Sequence, residues 1–383
     1  VATNFGTSDG ELIKMKCKIA LVIPTLDQGG AEKQLCLLAD GLPRDLFETE
    51  VVSITRSGPR EEWLRERNIP IHFVDKRGKI DPFAWQSLRR HFLETKPDIV
   101  HTWLFAANAY GRTAAISAKV PVVVGSERSV DPWKKSWHFW IDRFLAHRTR
   151  KITTNSTGVV DFYSKHGIPN AYFSLIPNAV SESTMTAISR EEAAQRLGVS
   201  PDRKWILSVG RLWHQKGYKD LIWTAETLRV FHENTSYIII GEGPERARLE
   251  QYSDNVRASS QVFIVGERTD VAQILPHAAV LWNGSLYEGQ SNVILEAMQN
   301  GLPVIASDIP GNRDLVHHRK TGLLFPVGDV DSLARQTNEL FRDDSLRASL
   351  TAQAQQFVQK NHSLENMVSS HVKLYQQWMK ERR

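Results

Sequence analysis

Short apolar runs alternate with stretches of helical period along this chain, and the alternation runs through once, pauses, and starts again. Such alternation builds parallel sheets covered by helices, because each parallel strand needs a long crossover to return to the same end of the sheet. In the first series the expected strands are residues 18–24, 50–54, 71–74, 98–103, 120–125, 151–155 and 172–176. Helices are expected between them near 31–41, 61–67, 82–95, 107–118, 133–147 and 158–166. The second series has strands at 205–209, 237–240, 262–265, 278–282, 302–306 and 322–325. The polar stretch 177–201 between the two reads as a linker followed by a helix at 190–197, and a helical stretch at 364–380 closes the chain. A length of 383 residues suits two domains. The expected division is a tail or tag at 1–14, a first α/β domain at 15–180 and a second at 181–363, facing each other across a cleft.

Several classes are disfavoured. No apolar run approaches the roughly 20 residues that span a bilayer. Residues 1–14 are polar and carry no secretory signal, with Met15 as a candidate start. Cys17 and Cys36 make no disulfide framework and have no metal-ligand spacing with any His cluster, so a reducing cytoplasm is the expected compartment. A net charge of +5 suits phosphate-bearing ligands or an anionic membrane surface.

The most informative segment is 286–308, LYEGQSNVILEAMQNGLPVIASD. Glu288 and Glu296 bracket the turn Gly289, Gln290, Ser291, Asn292, Val293, which opens a short amphipathic helix. Ser291 is a natural N-cap and Gly301 a natural helix end. The turn follows an expected strand, and open parallel sheets bind ligands at their carboxyl ends, where helix N–H groups attract phosphate. Flanking carboxylates repel phosphate, so they are assigned to hydroxyl groups. Phosphate with hydroxyls on both sides describes a nucleotide sugar.

Gly210, Arg211, Lys216 and Gly217 follow the first strand of the second series, where a forked guanidinium and a point charge suit a diphosphate. Gly241 and Gly243 follow the next strand; without a third glycine they disfavour a dinucleotide site and read equally as a tight turn. Gly29 and Gly30 follow the chain's first strand, where backbone N–H groups can approach a ligand or simply turn. His101 and Asn108 flank the carboxyl end of the 98–103 strand, and Arg128 follows the next one. His101 reads more readily as a packed residue, and Arg128 as the better candidate for an anionic ligand. The stretch 131–151 combines five Trp and Phe residues with Lys and Arg, and reads as a helix packing its aromatic face on the sheet or, second, as a membrane-surface helix. It contains no recognised nucleic-acid module, and no nucleic acid partner is expected.

On these residues the chain resembles the retaining glycosyltransferases of the two-domain GT-B class, specifically family 4. The resemblance runs from about Lys16 onward and is most specific in Glu288 to Glu296 and in GRLWHQKG at 210–217. GGAE at 29–32, IPNAV at 176–180, GEGPER at 241–246 and TGLLFPVGD at 321–329 support it. It implies that Arg211 and Lys216 bind the donor diphosphate, Glu288 the donor-sugar hydroxyls and Glu296 the ribose hydroxyls. The backbone of 289–293 is implied to close around sugar and phosphate, and the loop of Gly266 and Arg268 to carry the base. The last helix, about 364–383, is implied to cross back to the first domain. Many relatives carry a His in the loop after the fourth strand, near the donor sugar. Here Trp103 and Ala106 stand there, which leaves His101, Asn108 and Arg128 as candidates on the sugar or acceptor side.

The expected function is therefore transfer of a sugar from a UDP- or GDP-sugar to a hydroxyl on a glycan, lipid-linked or small-molecule acceptor, without a metal. Peripheral contact with the inner face of the membrane goes with it. A non-hydrolysing sugar-nucleotide epimerase or a non-catalytic sugar-nucleotide-binding protein are the alternatives.

Overall fold

The computed structural model describes residues 16–181 and 185–381, and the expected tail at 1–14 lies outside them. The first sheet contains β1 (Cys17–Thr25), β2 (Phe47–Arg56), β3 (Ile71–Phe73), β4 (Ile99–Trp103), β5 (Val122–Glu127), β6 (Lys151–Thr154) and β7 (Phe173–Leu175). Its strand order is β3-β2-β1-β4-β5-β6-β7. The second contains β8 (Lys204–Val209), β9 (Thr235–Ile240), β10 (Val262–Ile264), β11 (Val280–Asn283), β12 (Val304–Ser307) and β13 (Leu323–Phe325), in the order β10-β9-β8-β11-β12-β13. All neighbouring strands are parallel. In both sheets the order reverses at the first strand, β1 or β8, and such switch points open crevices at the strand carboxyl ends.

Each sheet is sandwiched between apolar helix faces. The helix Gly30–Gly41 presents Leu35 and Leu38 to Ile19, Leu21 and Ile23 of β1. The final helix, Leu364–Lys380, adds Met367, Val368, Tyr375 and Trp378 to that same core, although it follows the second sheet in the chain.

Several boundaries shift by two or three residues from expectation, and two of the differences have a clear physical reason. Strand β2 starts at Phe47 rather than residue 50, because Cys17, Lys18 and Ile19 pair with Phe47, Glu48 and Thr49, and the polar Glu48 and Thr49 interrupt the apolar run that signals a strand. The helix expected over 133–147 occupies only Ser136–Ala146, because the residues before it fold into a buried ion cluster. There Lys134 lies 2.9 Å from Asp142, 3.5 Å from Asp131 and 3.6 Å from Glu127. Arg112 adds a contact to Asp142 at 3.4 Å. The expectation that the aromatic face packs on the sheet also needs correction. Inward positions are taken by His138, Phe139, Asp142, Leu145 and Ala146, while Trp133, Trp137, Trp140 and Phe144 remain exposed.

Beneath the carboxyl end of β4, His371 of the final helix sits beside His101 and Trp103. Burial pushes the His371 imidazole down to about 4; its bond to the Met367 carbonyl opposes this and the charge of Arg128 adds to it. An unfolded His titrates near 6.5, so between these values the unfolded chain holds a proton that the folded chain refuses. Stability is therefore expected to fall as pH drops from about 6.5 towards about 4, by about 2 kcal/mol from this residue between pH 7 and pH 5. Urea unfolding of wild type and His371→Gln at the two pH values checks this. An unchanged difference in the variant removes His371 from the account.

Candidate active site

The two carboxylates of the 286–308 segment meet different partners. Glu288 follows β11, accepts a hydrogen bond from the Ser285 hydroxyl at 2.9 Å and is ion-paired with Lys216. Lys216 comes from the loop after β8, and that loop is laced to the Glu288 loop. The Leu286 N–H donates to the Gln215 carbonyl at 2.8 Å, and Gln215 Nε2 donates to the Tyr287 carbonyl at 2.7 Å. Gly217 makes this proximity possible: its φ is +65°, and a Cβ there would come 2.2 Å from the Gly284 carbonyl oxygen. Immediately after it begins the helix Tyr218–Arg229. Arg211 is exposed, lies over the Trp213 ring at 5.3 Å and makes no ion pair among the described residues. Across the cleft, burial raises the Glu32 carboxyl above its usual range, opposed by a backbone hydrogen bond and by Arg211.

Gly210, Gly241 and Gly266 stand side by side past the carboxyl ends of β8, β9 and β10. The Gly210 N–H donates to Ile240 at 2.9 Å and the Gly241 N–H to Gly266 at 2.8 Å, so these loops prolong the sheet's ladder. Arg268 is engaged inside its own domain, forked onto both carboxylate oxygens of Asp270 at 2.7 Å.

The turn between the glutamates is one place where the two domains touch; Thr157 bonded to Asp314 is another. A Cβ on Gly289 would come 2.1 Å from the Arg128 carbonyl oxygen and 2.7 Å from Asn155 Oδ1. The Asn178 N–H donates to Gln290 Oε1 at 2.8 Å, and Asn178 Nδ2 donates to the Gln290 carbonyl at 3.0 Å and to Asn292 Oδ1 at 2.7 Å. Asn292 Nδ2 donates in turn to the Gly30 carbonyl at 3.0 Å, and Gln34 Nε2 to Asn292 Oδ1 at 3.2 Å. Ser291 stands at the N-cap of the helix Asn292–Gln299, but makes no cap bond; its hydroxyl instead accepts from Asn283 Nδ2 at 3.3 Å. Val293, in the first turn of that helix, packs against the second core. Glu296, one turn further, is held by Lys33 of the first domain at 2.6 Å. The Glu32 side chain folds back over Gly29, the N-cap of Lys33's helix.

Among the first-domain candidates, His101 and Asn108 are fully buried. His101 Nδ1 and Nε2 lie 2.7 and 2.9 Å from the hydroxyls of Tyr375 and Thr153. Asn108 accepts from the Thr102 hydroxyl at 2.6 Å and donates to the Ser126 carbonyl and Glu127, both at 2.9 Å. Their polar atoms are committed inside the domain. Arg128 is the candidate that reaches the seam. Lys33, Gln34, Asn155 and Asn178 escaped the sequence reading. Gln34 carried a signal, a polar residue among the leucines of an apolar helix face, and Asn178 sits inside the IPNAV stretch; the other two carried none.

Comparison with known proteins agrees with this architecture. Residues 28–184 match the Glycosyltransferase Family 4 model and residues 189–357 the Glycosyl transferases group 1 model. The chain is 29% identical over 317 residues to an Escherichia coli protein named UDP-Gal:alpha-D-GlcNAc-diphosphoundecaprenol alpha-1,3-galactosyltransferase, covering 76% of this chain and 79% of that one. It is also 29% identical over 391 residues to an uncharacterized glycosyltransferase of Methanocaldococcus jannaschii, covering 94% and 97%. The crystal structure of Anabaena HepE with UDP-glucose superposes with a TM-score of 0.84 at 21% identity, over 94% of this chain and 99% of that one.

Proposed function

The chain belongs to the family 4 glycosyltransferases (glycosyl transferases group 1), and we propose that it moves a sugar from a UDP-sugar to an acceptor hydroxyl with the anomeric configuration kept. The observation that carries the reading is the pairing of Lys216 with Glu288 at the carboxyl ends of β8 and β11, with Arg211 on the same loop after β8, beside the turn on which the two domains close. Arg211 and Lys216 meet the donor diphosphate and offset the charge that builds on it as the glycosidic bond breaks. Glu288 then exchanges Lys216 for the donor-sugar hydroxyls, and Glu296 exchanges Lys33 for the ribose hydroxyls. Without donor, each carboxylate thus carries a stand-in cation that keeps it charge-balanced. The 289–293 backbone, with its helix start uncapped by Ser291, supplies further N–H groups to the phosphates. With this much positive charge from the chain itself, transfer needs no metal.

A uracil donor is supported by the UDP-glucose complex of the Anabaena protein and by the name of the E. coli relative. That name also supports a lipid-linked acceptor. No helix among the described residues is long and apolar enough to cross a membrane. A surface suited to lie on one is formed by Trp133, Trp137, Trp140 and Phe144, together with Lys135, Arg143 and Arg148. Exposed aromatic rings beside cations match the interfacial region of an anionic bilayer. The enzyme is expected to sediment with phosphatidylglycerol vesicles and not with phosphatidylcholine vesicles. Trp137→Ala/Trp140→Ala should lose that binding while turning over donor normally. Equal sedimentation of the double variant would remove this surface from the proposal.

A further inference from the structure

Three cations are buried in the first domain, and two have acidic partners. Arg112 pairs with Asp142, and Lys134 with Asp142, Asp131 and Glu127. The third is Arg128, immediately after β5 and 7% exposed, and no carboxylate among the described residues bonds to it. Its neighbour Glu127 is turned away, into the Lys134 cluster and onto the Tyr163 hydroxyl at 2.9 Å. One Arg128 nitrogen, Nη2, donates to Asn178 Oδ1, and the guanidinium lies 4.7 Å from the centre of the Trp103 ring. Nε and Nη1 find no acceptor, and neither does the Trp103 Nε1–H beside them. Burial alone draws the guanidinium down to about 9, the mark of a charge without a countercharge.

A buried, unpaired guanidinium is costly to a fold, and a ligand that supplies the missing negative charge removes the cost. Its position says which ligand. Arg128 abuts Gly289 through its carbonyl oxygen, and its partner Asn178 is bonded to Gln290 and Asn292, so parting of the domains exposes it and closure buries it. The cations assigned to the donor diphosphate, Arg211 and Lys216, belong to the opposite domain. We infer that Arg128, with the Trp103 indole N–H, forms a subsite for an anionic group on the acceptor, a phosphate or carboxylate close to the hydroxyl that receives the sugar. A free, charged Nη1–H and the Trp103 indole N–H beside the guanidinium suit an oxyanion through charge-assisted hydrogen bonding. This inference rests on the glycosyltransferase reading above.

The two readings fail separately in one titration. Thermal shift is measured with UDP alone, and then with inorganic phosphate, succinate or farnesyl diphosphate added at saturating UDP. A UDP shift in wild type tests the donor reading; its absence overturns that reading, whatever Arg128 does. The subsite predicts that at least one added anion raises the melting temperature further with UDP bound. Phosphate alone points to a free monoester, succinate to a carboxylate, and a preference for farnesyl diphosphate to a lipid-carried acceptor. Arg128→Gln should keep the UDP shift and lose the second one. Arg128→Lys, keeping charge but not the planar set of donors, should weaken the added anion about tenfold. Unliganded Arg128→Gln should melt no lower than wild type, since the charge removed was unpaired; a purely structural Arg would show a fall. The subsite is overturned if no anion adds to UDP, if Arg128→Gln retains the increment, or if it loses UDP as well.

Discussion

Lys216→Ala should lower UDP release from the donor by about 10²–10³-fold, the usual effect of removing one preorganised group that stabilises charge in the transition state. Lys216 closes the loop that leaves β8, and its ammonium is held against Glu288 by an ion pair. The loop's position does not depend on that ammonium. It is set by backbone and Gln215 hydrogen bonds to the 286–287 stretch and by Gly217 against the Gly284 carbonyl. Glu288 keeps the Ser285 hydroxyl when Lys216 is cut back, and the pair is partly open to solvent, so little stability should be lost. The expected signature is a collapsed rate in a protein that melts near the wild-type temperature. Lys216→Arg should recover part of the rate. Near-normal turnover in Lys216→Ala would remove the residue from the diphosphate site.

Gly289→Ala tests closure rather than charge, and a loss of about 10²-fold in turnover is expected. The nearest atoms to the added methyl are the Arg128 carbonyl oxygen, 2.1 Å away, and Asn155 Oδ1, at 2.7 Å, all of the first domain. The second domain therefore has no reason to rearrange, while the first can no longer reach the turn. Domain separation by even about 1 Å misplaces the acceptor against the donor, which is what the rate loss measures. UDP binding, which we assign largely to the second domain, should weaken far less than turnover falls. Full activity in Gly289→Ala would mean that the closed seam is not the reacting geometry.

Much of the architecture was legible because it is local. Apolar runs such as Ile238–Ile240 and Ile305 within β12 announce buried parallel strands by themselves, and both strand series appear in the structure where the alternation placed them. The placement of Glu288 and Lys216 was legible too, since each sits just beyond the carboxyl end of a strand. Side-chain fate was harder. His101 and Asn108 occupy the same kind of position, yet their partners Tyr375, Thr153 and Ser126 come from elsewhere in the chain, and only tertiary packing turns them inward. Lys33 is an ordinary surface charge in sequence, and its pairing with the candidate Glu296 appears only when the domains meet. The aromatic residues of Ser136–Ala146 misled for a similar reason: their spacing permits a buried face, but the cluster around Lys134 claims the inward positions.

The central claim is retaining transfer from a UDP-sugar, with the diphosphate held by the chain's own cations. Proton NMR of UDP-glucose, UDP-galactose and UDP-N-acetylglucosamine incubated with the enzyme in excess EDTA tests it most directly, by following the first sugar released to water. At least one donor is expected to yield UDP and the α-anomer first, before mutarotation. Release of the β-anomer first, turnover that appears only when magnesium or manganese is restored, or no UDP from any of the three would contradict it.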